Sequence, residues 1–174
     1  MSLDLLVYVK EKAPEDPVDF LEWFWKKSEW SGDRDYYDIE GADERLAAFF
    51  LEMIKTFPAM NGKYAPSDEE LEANPELEDS PMVTEYNIDE DLIYMAFSYS
   101  VGDTADELIR KLALQNGLGY FDMFNLYPDE NTRIPVPQLS VTEWAKGEKT
   151  ARQLYEESLN PPKKSFFSKL FGKK

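Results

Sequence analysis

The chain has 174 residues, of which 43% are hydrophobic and 14% aromatic; this suffices for the core of one domain and excludes the composition of a disordered chain. It contains no cysteine and no histidine, which excludes disulfides, thiolate or imidazole metal sites and every histidine-based catalytic triad. Its formal net charge of −16 disfavours nucleic acid as a ligand, because phosphate contacts depend on Lys and Arg, and it favours a basic partner.

The first third of the chain predicts a strand followed by two helices. The apolar run at 3–9 is typical of a buried strand. Asp16 and Pro17 have the residue types of a helix N-cap and first helical position, so a helix with an aromatic buried face is expected after them. A second helix is predicted over 44–57, where apolar residues recur every three or four positions until Pro58.

The middle of the chain predicts two strands and a third helix. An alternating segment at 82–88 and an almost wholly apolar segment at 92–100 flank three acids that supply a tight turn, which indicates a hairpin. Asp103 and Asp106 have the spacing of an acidic capping box and predict the start of a helix. The Asn-Gly pair at 116–117 predicts its end.

The C-terminal part predicts a last strand at 118–124, a long loop at 125–141 and a fourth helix beginning near Thr142. The order of elements predicts an α+β fold. We expect a four-stranded, mainly antiparallel sheet with helices on one face, in the ferredoxin-like (split βαβ) arrangement with an extra C-terminal helix. Residues 1–160 are predicted to form a single domain, followed by a basic amphipathic tail at 161–174.

The acids are unevenly distributed along the chain. Between Lys63 and Arg110 there are fourteen acids and no basic residue, and seven of the acids fall within 68–79. This segment is either a solvated loop or a docking surface for a basic protein, and solubility alone does not require such clustering. The candidate partner-binding residues are Asp68, Glu69, Glu70, Glu72, Glu76, Glu78 and Asp79, with Tyr64 and Tyr86 as aromatic anchors.

A second candidate surface lies earlier in the chain, where aromatic residues stand beside carboxylates. The aspartates at 33–38 do not match a calcium-binding loop, because Tyr37 occupies the third ligand position. Aromatic anchors with a charged rim are typical of protein interfaces, although these rings could instead pack onto the sheet. The candidate residues of this surface are Trp30, Tyr36 and Tyr37.

No motif selects a catalytic centre. A pair of carboxylates could act as general acid and base, but 35 acids produce close pairs by chance and their spacing singles out none. Gly117 and Gly119 follow a helix, whereas a phosphate-binding loop lies between a strand and a helix. We therefore predict no enzymatic activity, no cofactor and no metal, and a carboxylate enzyme is the third-ranked alternative.

The tail at 161–174 carries five lysines and no acid, which leaves 14 basic and 35 acidic residues, a net charge of −21, in residues 1–162. The apolar residues at 166–171 would share one side of a short basic helix, a pattern that can touch an anionic membrane. Because the body would be repelled from such a membrane, we expect the tail to contact its own body or to be loosely tethered. Weak membrane contact stays open, but stable insertion is not expected, because no run approaches the roughly 20 apolar residues that span a bilayer.

Two stretches, ERLAAFFLEMIKTFPAMNG (44–62) and TEYNIDEDLIYMAFSYSVGDTADELIRKLALQNGLGYFD (84–122), resemble a group of small acidic bacterial proteins. Some of these look similar to immunity proteins of polymorphic toxin and contact-dependent growth inhibition systems. The resemblance contains no catalytic motif; it implies a cytoplasmic bacterial protein that neutralises a cognate toxin by binding it. The alternative is a bacterial domain of unknown function with a small-molecule or regulatory role, in a pocket between the sheet and the long loop.

Overall fold

The structure of the protein is a computed structural model that describes residues 2–161. These residues form an α+β fold with one sheet. Its strands are β1 (Ser2–Tyr8), β2 (Glu85–Ile88), β3 (Leu92–Ser98), β4 (Gly119–Phe121), β5 (Asn125–Tyr127) and β6 (Ile134–Pro135). The helices are α1 (Pro17–Lys27), α2 (Glu44–Met53), α3 (Asp68–Ala73), α4 (Gly102–Gln115), α5 (Val141–Trp144) and α6 (Ala151–Leu159).

The six strands lie in the order β2-β3-β1-β4-β5-β6, and all neighbours are antiparallel. The central strand β1 pairs along its whole length with β3, and its second half also pairs with β4, where Leu6 lies opposite Phe121. Successive side chains of a strand point to opposite faces. Leu5 and Val7 therefore enter the core on one face, and Leu6 and Tyr8 enter a second core on the other.

Helices cover both faces of the sheet. Helices α2 and α4 supply apolar residues to the core that contains Leu5 and Val7. Helices α1 and α6 do the same on the opposite face, where Phe20 and Phe24 meet Phe121 edge to face. Because the second half of β1 is buried on both faces, residues 5–9 form a continuous apolar run rather than an alternating one.

The predicted four-stranded sheet with helices on one face is thus wrong in two respects. Strands β5 and β6 arise within the predicted loop 125–141. Just before this loop, Asp122 closes the β4–β5 turn by accepting hydrogen bonds from the N–H groups of Phe124 and Asn125. These strands are only three and two residues long, so they carry no alternating pattern that the sequence could reveal. The aromatic face of α1 needs its own partner, and that partner is the second face of the sheet.

Most predicted helix signals match the structure. Asp16 caps α1 by accepting hydrogen bonds from the N–H groups of Val18 and Asp19, at 2.9 and 3.1 Å. Gly117 follows α4 with a φ of 67°, the left-handed conformation that ends many helices. Asp103 is not the N-cap of α4, however, because the helix begins one residue earlier at Gly102.

The hydrophobic pattern also identifies most of the core. It predicts seven buried side chains, of which five are buried: Leu46, Phe50, Ile93, Phe97 and Leu112. Ala96 and Leu108 are only partly buried, so the prediction is wrong for these two. The fourth predicted helix is divided into α5 and α6, and the predicted tail lies outside the described residues apart from Pro161.

Candidate functional site

The predicted acidic loop contains a short helix, α3, with a complete capping box. The hydroxyl of Ser67 accepts a hydrogen bond from the N–H of Glu70 at 3.3 Å, and the Glu70 carboxylate accepts one from the N–H of Ser67 at 2.8 Å. Pro75 then opens a 3₁₀ turn at Pro75–Leu77. Neither element has a buried residue, so this segment adds charge to the surface and nothing to the core.

We call residues 68–79 the acidic segment. Its seven carboxylate residues are all exposed, and within residues 2–161 none of them forms an ion pair with a Lys or Arg side chain. Hydrogen bonds from the Ser67 N–H and hydroxyl lower the pKa of Glu70, so this carboxylate stays ionised. The acidic segment is therefore a compact anionic surface without a compensating cation among the described residues.

The two tyrosines predicted as anchors beside the acidic segment differ from each other in how deeply they are buried. Tyr64 is partly buried, with its ring 5.1 Å from that of Phe50. Tyr86 is 3% exposed and donates its hydroxyl to the carbonyl of Phe57 at 2.8 Å, and burial raises its pKa. Tyr86 cannot contact a partner from this position, so its prediction as an anchor is wrong; its strand register points it into the core beneath α2.

The aromatic residues of the second candidate surface mainly close the edge of the sheet. Trp30 packs against Tyr36 and Tyr94, with ring centroids 5.2 and 6.2 Å apart. The carbonyl of Tyr36 accepts a hydrogen bond from the N–H of Ile88 in the edge strand β2. Covering an edge strand in this way blocks pairing with other chains. Trp30 and Tyr36 thus pack onto the sheet, while Tyr37 remains 37% exposed.

The two candidate surfaces are neighbours in space. Gly62 packs directly on the backbone of Tyr37, with no room for a Cβ atom, and its φ of 78° also favours glycine. Lys63 bridges the two loops through an ion pair with Asp38 at 2.6 Å. Met60, in the same segment, is 52% exposed and was not predicted. Tyr37 and Met60 are therefore exposed apolar residues on the loops that precede the acidic segment.

An ionic network around two buried aspartates lies at the β2–β3 turn and was also not predicted. Lys27 Nζ lies 3.2 Å from Asp89 Oδ2 and 2.9 Å from Asp91 Oδ1; the second contact is an ion pair without hydrogen-bond alignment. Arg34 contacts the other oxygen of Asp89 at 3.3 Å. Burial raises the pKa of Asp91, against the lowering effect of Lys27. The sequence has fourteen acids and no basic residue between Lys63 and Arg110, but the fold brings cations from elsewhere to two of these acids, Asp89 and Asp91.

A second network fixes α4 to the sheet. The guanidinium of Arg110 lies over the rings of Tyr120 and Tyr127, at 4.8 and 4.2 Å from their centroids. Asp106 accepts hydrogen bonds from Arg110 Nε and from the hydroxyl of Tyr120, at 2.8 and 2.5 Å. Burial, followed by the bond to Asp106, raises the pKa of Tyr120. Asp106, predicted as part of a helix cap, instead holds α4 against β4.

A cavity of about 380 Å³ lies between the sheet and the loop that joins β5 to β6. Tyr8, Leu126 and Ile134 contribute to its apolar walls, and Lys10, Glu15 and Asp129 add charged groups. Among residues 2–161, no group of three or more Asp or Glu side chains is arranged to hold a metal ion. In the same part of the chain, no helix has both the length and the apolar character needed to cross a membrane.

Comparison with known proteins supplies no relative from which to assign residues. The chain matches no family model, no curated protein and no solved structure at significant similarity. The resemblance to immunity proteins therefore stays a prediction, and any function must be argued from the surfaces and cavities described above.

Proposed function

We propose that the protein is a non-enzymatic binding protein, an immunity-type inhibitor that neutralises a basic protein toxin through the acidic segment. The observation that carries this proposal is the contrast between these carboxylates and others in the chain. Asp16 and Asp19 pair with Arg152, and Asp43 pairs with Arg45, whereas the seven acids of 68–79 have no cationic partner within residues 2–161.

The physical basis of the proposal is electrostatic. Like charges held close together repel each other, so seven clustered carboxylates disfavour the folded state unless a partner neutralises them. The positive end of the α3 dipole offsets part of this repulsion for Asp68, Glu69 and Glu70 in the first turn. An oppositely charged partner would be attracted over a distance and would associate quickly at low ionic strength.

The expected partner is a basic protein rather than nucleic acid, for which the charge has the wrong sign. Tyr37 and Met60 would supply apolar contact area beside the acidic rim, as aromatic residues and methionine do at protein interfaces. The same proposal implies a cytoplasmic location, and a neighbouring gene that encodes a large secreted toxin would support it.

The test is a matched pair of charge variants with the partner captured from the native bacterium. The first variant combines Asp68→Asn, Glu69→Gln, Glu70→Gln and Glu72→Gln; the glutamine at 70 preserves the capping box. The control neutralises four exposed acids elsewhere in the chain: Glu107, Glu143, Glu148 and Glu156.

We expect the association rate, measured by stopped-flow at several salt concentrations, to fall for the first variant and its salt dependence to flatten. The control should change both quantities much less, although its net charge is the same. An acidic partner, or equal effects of the two variants, would show that the acidic segment is only a solvated surface.

The second candidate function is small-molecule or regulatory binding in the cavity between the sheet and the β5–β6 loop. Its volume of about 380 Å³ lies within the range of ligand pockets, and apolar walls with a few polar groups are typical of them. Burial raises the pKa of Tyr8 to about 12, so this residue would present a neutral hydroxyl to a ligand. A metabolite that raises the melting temperature of the wild type, but not of an Ile134→Trp variant that fills the cavity, would favour this function.

We also propose that β1 to β4, with α2 and α4, constitute a ferredoxin-like unit to which the other elements are added. The order β2-β3-β1-β4 within the larger sheet and the position of α2 and α4 on one face support this proposal. An experimental structure that places α2 and α4 on opposite faces would contradict it.

A further inference from the structure

A second concave surface lies at the opposite end of β3 from the β2–β3 turn. It is formed by the start of β1, the β3–α4 connection and the β4–β5 turn, and its volume is about 430 Å³. We call it the aromatic groove and define it by Leu3, Leu5, Tyr99, Asp103 and Phe124. Leu3 is partly exposed and provides apolar surface from β1, whereas Leu5 is buried; the two aromatic residues come from connections between elements.

The two aromatic side chains of the groove are unusually exposed. Tyr99 is 68% exposed and Phe124 is 61% exposed. Single exposed apolar residues are normal, but two aromatic rings beside one concavity are typical of an interaction site. Tyr and Phe are also enriched at protein interfaces, and Tyr is among the residues that supply most of the binding energy there.

The turn that carries Phe124 contains a methionine at a backbone position that normally favours glycine or asparagine. Met123 precedes it with a φ of 69°, in the left-handed region where glycine or asparagine is favoured. Strain of this kind is concentrated at functional sites. Asp122 holds the turn with hydrogen bonds from the N–H of Phe124 at 2.9 Å and from the hydroxyl of Tyr127 at 3.0 Å. Phe124 is therefore presented on a fixed backbone, which lowers the entropy cost of binding.

The charge of the groove is negative. Asp103, Asp106 and Asp122 all line it, and Arg110 is the cation that lies close to two of them, at 2.8 Å from Asp106 and 4.0 Å from Asp122. Asp103 is exposed and has no ion pair within residues 2–161. Aromatic faces and an available carboxylate together suit a planar cation, because a guanidinium can stack on a ring and donate hydrogen bonds to a carboxylate at the same time.

We propose that the aromatic groove binds an arginine side chain of a basic polypeptide, flanked by the rings of Tyr99 and Phe124 and paired with Asp103. Like the proposed function, this proposal expects a basic polypeptide as partner, but it does not depend on the acidic segment. The groove would recognise one arginine side chain through direct contacts, whereas the acidic segment would attract the partner through its charge.

The test uses the full-length chain and two fluorescent probes, hexa-arginine and hexa-lysine peptides with blocked termini. Their affinities are measured by fluorescence anisotropy at 150 mM salt, which screens attraction between distant exposed charges. The groove variant combines Tyr99→Ser and Phe124→Ser. Its control combines Leu114→Ser and Leu159→Ser, which removes two other exposed apolar side chains without a change of charge.

We expect the groove variant to bind hexa-arginine about 5- to 30-fold more weakly than the control, the loss that corresponds to two exposed cation–π contacts. Hexa-lysine should be affected less, because its compact ammonium group gains less from stacking. Asp103→Asn should weaken hexa-arginine more than Glu107→Gln, which removes the same charge one turn further along α4. In amide NMR spectra, the peptide should shift the signals of Ser100, Gly102 and Phe124.

Equal affinities of the groove variant and its control would overturn the proposal, as would peptide-induced shifts confined to residues 68–79. A groove variant that dissociates a homodimer while binding the peptide normally would assign the groove to a second copy of the chain, and would also overturn it. Each of these outcomes leaves the proposed function of the acidic segment intact, because that function is tested by the charge variants and the captured partner.

Discussion

Two acidic regions of this protein look alike in sequence and behave differently in the structure. The acidic segment is exposed and has no ion pair among the described residues. The β2–β3 turn contains three consecutive acids, of which Asp89 and Asp91 are each 7% exposed and held by cations. Those cations come from Lys27 and Arg34, which lie 62 and 55 residues from Asp89 in the sequence. The density of acids along a chain therefore does not reveal where negative charge is compensated.

The difference matters because charge has different energetic consequences in the two places. A buried ion pair contributes little net stability, but removing one partner leaves an uncompensated charge in a poorly solvated site. An exposed carboxylate remains hydrated whether or not it is paired. The β2–β3 turn should therefore be sensitive to single substitutions, and the acidic segment should tolerate several.

The largest loss of stability is expected in the apolar core, and it sets the scale for the effects in the two acidic regions. Phe50 is buried between the rings of Tyr64 and Tyr86, so it connects the core to the loop before the acidic segment. Phe50→Ala should lower the free energy of unfolding by about 3–5 kcal/mol, through lost burial and an unfilled cavity. Urea denaturation measures this loss, and a loss below 1 kcal/mol would contradict the assigned packing of α2.

The next effect concerns the buried network. Lys27→Met should cost about 3 kcal/mol of stability, at the lower end for a broken buried pair, because Asp89 loses one of its two cations and Asp91 loses its cation. Lys26→Met is the matched control, since Lys26 is the preceding residue of α1 and pairs with Glu22 at the surface. It should cost less than about 1 kcal/mol. Equal losses in urea denaturation would mean that the network is not buried in solution.

A third prediction uses pH to separate the two regions. Because the pKa of Asp91 is raised in the folded state, its ionisation costs stability as pH rises from the unfolded value of 3.8 through the folded value. The free energy of unfolding of the wild type minus that of Asp91→Asn should therefore fall as pH rises.

Glu70 should show the opposite sign. Its pKa is lowered by Ser67, so its stabilising contribution is complete above the unfolded value of 4.5 and is lost as pH falls through the folded value. The free energy of unfolding of the wild type minus that of Glu70→Gln should rise with pH. Urea denaturation at several pH values between 3 and 7 checks both slopes, and slopes of the same sign would contradict the contrast between the regions.

The smallest expected effect is on the acidic segment itself. The variant with Asp68→Asn, Glu69→Gln, Glu70→Gln and Glu72→Gln should melt at the same temperature as the wild type or slightly higher, because repulsion is reduced and no core residue changes. Thermal unfolding monitored by circular dichroism measures this. A melting temperature several degrees lower would show that contacts such as the capping bond of Glu70 to Ser67 outweigh the repulsion among these carboxylates.

Sequence alone identified the features that depend on neighbours along the chain. The cap formed by Asp16, the end of α4 at Gly117 and the buried stripe of α2 each arise within a few residues, so their residue types and spacing are sufficient. The capping box of Ser67 and Glu70 was equally local and would have revealed α3 within the predicted loop. Asp103 shows the limit of such signals, because its residue type suits a cap but the helix starts at Gly102.

Only the tertiary structure decided what depends on distant segments. Strands as short as β5 and β6 have no periodicity of their own; β5 forms on the edge of β4, and β6 forms on the edge of β5. The register of β2 sends Tyr86 under α2, which excludes it from any surface. The pairing of Lys27 with Asp89 and Asp91 needs α1 to pass the β2–β3 turn. Each of these contacts joins residues that are far apart in sequence, and composition and spacing carry no record of which distant charges or rings will meet.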